Sequence, residues 1–165
     1  MPASVFRAST FALLAFVGTL PALAAGGRSG SGPITIKVEI EGVTQGLFEV
    51  VEGLQSTSEV LVPDDENPYL YPAPGPLRWS SIVLKRTYDP ALTGLWNWRR
   101  FVVEGSTQRR DGRIMLFDAR GHLAACWVFT RGWPSRWEVT SLRSSEAEPG
   151  TEIIEIVHEG LSLEG

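Results

Sequence analysis

Large aromatic side chains are concentrated in one part of this chain, and they constrain the fold more than any other feature. Five of the six tryptophans lie between Leu95 and Trp137. Tryptophan supplies a large, rigid apolar surface, whereas a catalytic site is built from a few polar groups that converge on one point. We therefore expect packed surface here rather than a reactive centre. Trp79, Trp96 and Trp127 are predicted to lie in the core, and Trp98, Trp133 and Trp137 in the core or at a subunit interface.

Alternation of apolar and polar residues predicts most of the secondary structure. Ile34–Glu41 alternates with a period of two, which is typical of a half-buried strand. Leu47–Leu54 is predicted as a second strand with a break at Gly53, and Ser56–Val62 as a third strand that returns along the second. Further strands are predicted at Trp79–Tyr88, Arg113–Phe117, Leu123–Thr130, Arg136–Leu142 and Glu152–His158, the last of the series, with a hairpin turn at Asp118–Gly121.

One helix is predicted in the middle of the chain. Asp89 and Pro90 provide an N-cap and a proline at the first helical position, and Gly105 provides the stop. Apolar residues between them recur at spacings of three, four and seven, so the helix would have about fourteen residues and a length of roughly 21 Å. Gly94 inside this helix costs about 1 kcal/mol relative to alanine, so packing must hold the helix in place.

Two segments carry neither a strand nor a helix pattern. Pro63–Pro76 contains five prolines and is predicted to be a long loop, and Ser144–Gly150 is predicted to be a polar loop. The remaining elements predict an α+β fold that is mainly β. We expect an antiparallel β-sandwich or barrel-like arrangement with one packed amphipathic helix.

Length, charge and cysteine content exclude several classes of protein. A chain of 165 residues allows one domain with a substantial core. The net charge of -4 argues against a constitutive nucleic-acid binder, which usually carries a basic face. Cys126 is the only cysteine, so an intrachain disulfide and a cysteine-rich metal site are excluded. Its apolar neighbours predict a buried core thiol.

The first residues have the composition of a targeting segment. Residues 1–25 combine a basic start, a short apolar stretch and an Ala-x-Ala end, which is the pattern of a secretory signal peptide. A glycine and a proline interrupt the apolar stretch, so no stable membrane anchor is expected. The alternative is a misassigned start codon, with Val17 as the first residue. Residues 26–32 are predicted to be a Gly/Ser linker, and the folded domain to occupy residues 33–165.

Acidic residues near histidine or near one another do not form a metal-site pattern. On a strand, Glu155 and Glu159 lie on the face opposite His158, because successive side chains point to opposite faces. We therefore expect His158 to be a solvated or interface residue. The run Asp64-Asp65-Glu66 lacks the spacing of a calcium loop and is predicted to be a solvated loop tip.

No catalytic motif is present in the sequence. Asp111 and Asp118 lie beside turn glycines, where short carboxylate side chains cap backbone groups. The chain has no Gly-x-Ser-x-Gly, phosphate-loop, dinucleotide or zincin motif. We therefore predict that the protein is not an enzyme, and that it has no catalytic, cofactor-binding or metal-binding residues.

An ordered series of short motifs resembles the tail tube protein family of contractile phages and phage-derived injection systems. The similarity extends over roughly Ile34–Leu163. The matching pieces, in chain order, are Gly46–Val50 with Gly53–Leu54, Ser81–Arg86, Leu95–Trp98, Arg109–Ile114, Trp133–Trp137 and Glu155–Leu161. Each piece is short, and the full set in this order carries the resemblance.

The resemblance implies a structural subunit that assembles with copies of itself. Members of this family form hexameric rings that stack into a hollow tube, with two β-hairpins of each subunit lining the lumen. Sheath and baseplate proteins are the implied partners, and DNA or protein cargo passes without specific binding. By the same analogy, the two predicted loops contact neighbouring subunits or the next ring. The particle would be assembled in the cytoplasm; the alternative is a secreted or periplasmic β-rich envelope or binding protein that uses the same fold.

Overall fold

The computed structural model describes residues 32–62, 71–142 and 150–164. The predicted leader, most of the linker, the first eight residues of the predicted loop Pro63–Pro76 with its Asp64-Asp65-Glu66 run, and the predicted loop Ser144–Gly150 apart from Gly150 therefore lie outside the described residues. The elements in chain order are β1 (Thr35–Ile40), β2 (Thr44–Phe48), β3 (Val50–Glu52), β4 (Ser56–Leu61), β5 (Ala73–Trp79), β6 (Ile82–Thr87), α1 (Gly94–Val103), β7 (Arg110–Phe117), β8 (Leu123–Thr140), β9 (Thr151–Val157) and β10 (Gly160–Glu164).

An antiparallel sheet of eight strands forms the body of the protein, in the order β2-β1-β7-β8-β9-β6-β3, with β10 paired to β8. The two ends of this path, β2 and β3, follow each other in the chain on either side of Glu49. At that residue the backbone N–H donates to the carbonyl of Lys85 on β6 at 2.9 Å. One chain segment therefore pairs with β1 before Glu49 and with β6 after it, so the sheet curls around the core into a barrel that strand pairing leaves open.

Period-two alternation places the core residues inside this sheet, as the sequence predicted. Ile82 and Leu84 on β6 face inward together with Ile154 and Ile156 on β9, and all four are fully buried. The buried cluster consists of Val38, Ile40, Phe48, Ile82, Leu84, Leu95, Trp98, Ile114, Phe129, Ile154 and Ile156. Burial of a side chain of this size is worth about 1.5–3 kcal/mol, so the cluster accounts for much of the fold's stability.

The helix is shorter than predicted, with ten residues, and it begins at Gly94 rather than after Asp89. Asp89 instead closes a separate turn, in which its Oδ1 accepts the N–H of Ala91 at 2.9 Å. Gly94 is the first helical residue, and a Cβ atom there would overlap the carbonyl of Val43. The close approach of the helix to the β1–β2 turn therefore explains this glycine. Trp98 is buried and donates its indole N–H to the Gln108 carbonyl at 2.8 Å.

The prediction of an unbroken loop over Pro63–Pro76 is wrong for its last residues. Ala73–Trp79 forms β5, which pairs with β4 from Ser56↔Trp79 to Leu61↔Ala73. Strand β4 was predicted to return along the second strand, yet it pairs with β5 instead. Each strand of a two-stranded sheet keeps one free edge, and prolines are tolerated in strands of that kind. The proline pattern thus concealed an edge strand.

Strand β8 is one strand of eighteen residues where two had been predicted. Its first half pairs with β7 and β10, and its second half pairs with β9. The bend between the halves occurs near Arg131, whose φ is 53°, and at an irregularity between Pro134 and Arg136. Such bulges change the direction of a strand without ending it. The Trp133-Pro134 pair therefore marks a corner.

The C-terminal strand was also mispredicted. Glu152–His158 was expected to be the last strand, but β10 follows it and pairs with β8 from Gly160↔Thr130 to Glu164↔Cys126. The predicted fold class is confirmed: the protein is mainly β, antiparallel, with one packed helix. Over the three described ranges, no helix has the length and apolar character needed to cross a membrane.

Candidate assembly surfaces

The hairpin of β4 and β5 is separate from the main sheet and largely exposed. All six residues of β4 are exposed, and β5 is exposed apart from Gly75 and Trp79. The exposed side chains of the hairpin and its ends include apolar ones, namely Val60, Leu61, Val62, Tyr71 and Leu77. A two-stranded hairpin is marginally stable alone in water, and clustered exposed apolar residues mark interaction sites. This hairpin is therefore a candidate contact surface.

Two unpaired strand edges form a second candidate surface. Among the described strands, β2 pairs only with β1, and β10 pairs only with β8. The strands pair in the order β2-β1-β7-β8-β10, in which β8 contributes its first half. Strands β2 and β10 are therefore the two outermost strands of this part of the sheet. Leu47 on β2 and Leu163 on β10 are exposed. Exposed edges of this kind are templates for pairing with another chain.

A buried ion pair lies inside the barrel. Arg86 Nε donates to Glu152 Oε2 at 2.7 Å, and Trp137 Nε1 donates to Glu152 Oε1 at 2.8 Å. The Arg86 guanidinium also lies 5.0 Å from the centre of the Phe48 ring, a cation–π geometry. Each oxygen of the Glu152 carboxylate accepts one of these hydrogen bonds. The carboxylate therefore stabilises the packing of Arg86 and Trp137 rather than transferring protons. The sequence contained the signal, since both residues occupy inward-facing positions of alternating strands.

His158 is buried within the single chain, at 7% exposure, so the prediction of a solvated or interface histidine is wrong. Its Nδ1 and Nε2 lie 3.0 Å from the carbonyl oxygens of Gly160 and Ser80. The ring also lies against Trp79 and Phe129, with centroid distances of 5.9 and 6.3 Å. The histidine fills the junction between β9 and β10, where two chain carbonyls need partners. Among the described residues no group of three or more His, Cys, Asp and Glu side chains is arranged to hold a metal ion.

The two glutamates beside His158 do not join it. Glu159 accepts from Arg131 Nε at 2.6 Å and from Arg109 Nη1 at 3.0 Å. Glu155 lies on β9, in register with Val83 on β6. Glu155 lies on the half-buried face of β9 and His158 continues its buried face, in agreement with the opposite-face argument, while Glu159 lies beyond the strand and pairs with two arginines.

Asp111 and Asp118 both cap backbone groups, as predicted, but Asp111 lies in β7 and not beside a turn. Asp111 Oδ1 accepts the N–H of Arg131 at 2.8 Å, at the bend of β8. Asp118 Oδ1 accepts the N–H groups of Arg120 and His122 at 2.8 and 2.9 Å. The bond from the His122 N–H, followed by that from Arg120, lowers the pKa of Asp118 below its ordinary value. These contacts stabilise the bend of β8 and the turn after β7.

Cys126 is buried on β8, as predicted. Burial raises the pKa of this thiol, and the neighbouring Glu164 carboxylate raises it further. A thiol with a raised pKa is a poor nucleophile, because the thiolate is the reactive form. The residue therefore acts as a small apolar side chain.

Of the two tryptophans on the helix, Trp96 is placed differently from the prediction. Trp98 is 2% exposed, whereas Trp96, expected in the core, is 41% exposed. The helix turns these two residues to different faces, and only one face meets the sheet. Trp79, Trp127, Trp133 and Trp137 are half-buried. Trp96 contacts Trp137 with ring centroids 4.8 Å apart.

Comparisons with known proteins agree with this architecture. Residues 34–162 match the family model of the T4-like virus tail tube protein gp19. No match is found among proteins with curated descriptions.

Several solved structures share the fold. A chain of an extracellular contractile injection system, the PVC sheath-tube complex in its extended state, is 18% identical with a TM-score of 0.69, covering 78% of this chain and 87% of that chain. A chain of the anti-feeding prophage baseplate is 20% identical with a TM-score of 0.62, covering 82% and 94%. Hcp1 from Flavobacterium johnsoniae is 14% identical with a TM-score of 0.52, covering 79% and 95%.

The family match extends over most of the chain, including the helix, strands β1 to β9 and the first residues of β10. The resemblance found in the sequence is thus confirmed, and the family is one of structural tube proteins rather than enzymes. This chain belongs to the T4-like virus tail tube protein gp19 family.

Proposed function

We propose that this tail tube family protein forms hexameric rings that stack into the hollow inner tube of a contractile phage tail or phage-like injection particle. The observation that carries the proposal is the family match over residues 34–162. Two physical features support it. The chain has unpaired strand edges on opposite sides of one sheet, and it has an exposed apolar hairpin outside that sheet.

Ring formation follows if the free edge of β2 in one copy pairs with the free edge of β10 in the next. These edges differ from one another, so the contact is heterologous, and a heterologous contact closes into a ring when its rotation allows. Closure removes both exposed edges from solvent. Leu47 and Leu163, exposed in the single chain, would lie at or near this junction.

The partners proposed for the tube are its own copies, a sheath and a baseplate. The structures that share the fold are described as a sheath-tube complex and a baseplate. The lumen would pass DNA or protein cargo without specific binding. The net charge of -4 supports this, since lasting contacts to nucleic acid need clusters of cationic side chains.

Cytoplasmic assembly is the proposed route for such a particle. The alternative is an exported envelope or binding protein with the tube fold, and the signal-peptide pattern of residues 1–25 favours that alternative. Intact mass of the expressed protein separates the two. Cleavage after Ala24 would support export, and a first residue at Met1 or Val17 would support the tube.

Electron microscopy of the full-length chain at rising concentration tests the assembly. We expect rings and hollow tubes. Leu163→Lys on the edge of β10 should abolish them, because a charge on an edge strand opposes pairing. Leu123→Lys, at an exposed position of β8 that β10 does not pair with, is the matched control and should leave the rings intact. A monomer at every concentration would contradict the proposal.

A further inference from the structure

A small aromatic pocket opens between the start of the helix and strands β8 and β9. It has a volume of about 220 Å³, and its walls include Tyr88, Pro90, Leu92, Trp96 and Trp137, with the carboxylate of Glu152 among its lining groups. The Trp96 and Trp137 rings lie at 49° to one another. Trp96 is the exposed tryptophan of the helix, and no function described above uses this pocket.

The size and charge of the pocket restrict what it can take. Pockets for drug-sized ligands usually have volumes of about 300–1,000 Å³, so 220 Å³ suits one inserted side chain and its neighbour. The Glu152 carboxylate is already paired with Arg86 and Trp137. Asp89 also lines the pocket, and its carboxylate accepts the N–H of Ala91. The pocket therefore suits an uncharged, apolar or aromatic group.

The chain itself carries a segment with this chemistry. Tyr71 is 85% exposed at the outer end of the β4–β5 hairpin, and Pro72 is exposed beside it. No residue of Tyr71–Leu77 is charged, and three of the seven are prolines. Aromatic-lined grooves bind proline-rich segments, and aromatic rings pack well against one another in tilted arrangements. The exposed hairpin end is uncharged, and it matches the aromatic and apolar lining of the pocket.

We propose that Tyr71 and Pro72 of one copy insert into the pocket formed by Trp96 and Trp137 of a second copy. The inference rests on the proposed self-assembly and deepens it by naming the two surfaces that meet.

The positions of the two surfaces in the fold support contact between copies. The base of the hairpin adjoins the start of β6, since the Ser80 N–H donates to the Gln55 carbonyl at 3.1 Å. The pocket begins at Tyr88, just beyond the other end of β6. Strand β6 lies between them, and the five steps between its six residues, at about 3.4 Å each, give it a length of about 17 Å. A protruding group at one end and a pocket at the other make a head-to-tail contact, which grows as an open stack when its rotation does not close a ring.

Disulfide trapping between full-length chains tests this contact. One preparation carries Tyr71→Cys and the other carries Leu92→Cys in the pocket wall. Cys126 stays in both, because it is buried and the pKa of its thiol is raised. The two are mixed under mild oxidation, and crosslinked dimers are quantified by intact mass and peptide mapping.

The matched control replaces the pocket cysteine by Leu123→Cys, since Leu92 and Leu123 are similarly exposed, at 46% and 55%. We expect Tyr71→Cys to crosslink to Leu92→Cys about tenfold faster than to Leu123→Cys, because a specific contact raises the effective concentration. Trp96→Ala in the pocket chain should remove that preference, and Trp96→Phe should restore most of it. Far-UV circular dichroism verifies that each variant is folded.

Equal crosslinking to both positions, or a preference that survives Trp96→Ala, would overturn the inference. Electron microscopy of the unsubstituted chain separates this result from failure of the proposed function. If tubes form without preferential crosslinking, the proposed function stands and the proposed contact is excluded. If crosslinking is preferential but no tubes form, the contact stands and the proposed function is excluded.

Discussion

Strand β9 and strand β4 belong to the same chain and have opposite surroundings. Strand β9 alternates buried and half-buried residues along its whole length, with β6 on one side and β8 on the other. Strand β4 has one partner, β5, and none of its six residues is buried. A central strand gains its stability from side-chain burial on a packed face. The separate β4–β5 hairpin lacks this stabilisation by side-chain burial. It gains such stabilisation only when another surface covers it.

This difference separates the part of the molecule that stabilises the single chain from the part that is available to other copies. The barrel buries an ion pair, a histidine and a continuous apolar cluster. The hairpin keeps exposed apolar side chains, among them Leu61 and Leu77. Substitutions in the barrel should therefore change the free energy of unfolding, and substitutions in the hairpin should change association.

The largest effect is expected at the buried ion pair. Glu152→Gln leaves the Arg86 guanidinium inside the barrel without its counter-charge, and this should lower the free energy of unfolding by about 3–5 kcal/mol. Urea denaturation of the single chain measures it. Glu52→Gln is the matched control on the same sheet, since Glu52 pairs with Lys85 at 2.8 Å on the surface. Its expected cost is about 0–1 kcal/mol, and equal losses would contradict the burial argument.

A smaller effect is expected at the junction between barrel and hairpin. Gly53 has a φ of 82°, and a Cβ atom there would overlap the Ser81 carbonyl, whereas Gly121 has a φ of 81° and open space around it. Gly121→Ala should cost about 1–2 kcal/mol from backbone strain alone. Gly53→Ala should cost a further 1–3 kcal/mol, roughly, because the barrel has to shift. The two variants, compared by thermal unfolding, isolate the steric term.

Thiol reactivity distinguishes the barrel from the hairpin without a substitution in the core. Cys126 in the barrel should react with a small alkylating agent at least about tenfold more slowly than Leu61→Cys in the hairpin, because thiolate is the reactive form. Burial raises the pKa of Cys126 above its ordinary value of 9.0. The folded state therefore disfavours this ionisation, and stability falls as the pH rises through the raised pKa. Intact mass over time gives both rates, and similar rates would show an accessible β8.

The smallest effect on stability is expected in the hairpin. Leu61→Ser removes an exposed apolar side chain, so the free energy of unfolding of the single chain should change by about 0.5 kcal/mol or less. Assembly should weaken nevertheless, with tubes appearing only at higher concentration in electron micrographs. A loss of several kcal/mol in the single chain would show that the hairpin packs on its own barrel.

Most core positions could be predicted because their pattern is local. Alternation over Ile34–Glu41 predicted a half-buried strand, and Val38 and Ile40 of β1 are buried. The predicted turn at Asp118–Gly121 joins β7 to β8 as a hairpin. The secondary-structure predictions failed where the local sequence pattern indicates one structure and the tertiary contacts stabilise another. Strand β5 was missed because its prolines are compatible with an edge, and the helix start was misplaced because Asp89 caps a different turn.

The candidate surfaces were less predictable than the core. Proline content and apolar residues near Tyr71 marked an unusual segment, but they did not show that it forms a hairpin apart from the sheet. Likewise, one helix carries both Trp96 and Trp98, and the sequence alone wrongly assigned Trp96 to the core and left Trp98 open between core and interface. Exposure depends on which face meets the sheet, and that is a property of packing.

By itself, the sequence determined the mainly β fold class, the resemblance to tail tube proteins and the inward faces of the central strands. These follow from period-two alternation and from the order of short motifs, which are read along the chain. Only the tertiary structure decided that β2 and β3 end the sheet on either side of Glu49, that Glu152 meets Arg86 inside the barrel, and that β10 has a free edge. Such features depend on contacts between residues far apart in sequence, which no local pattern specifies.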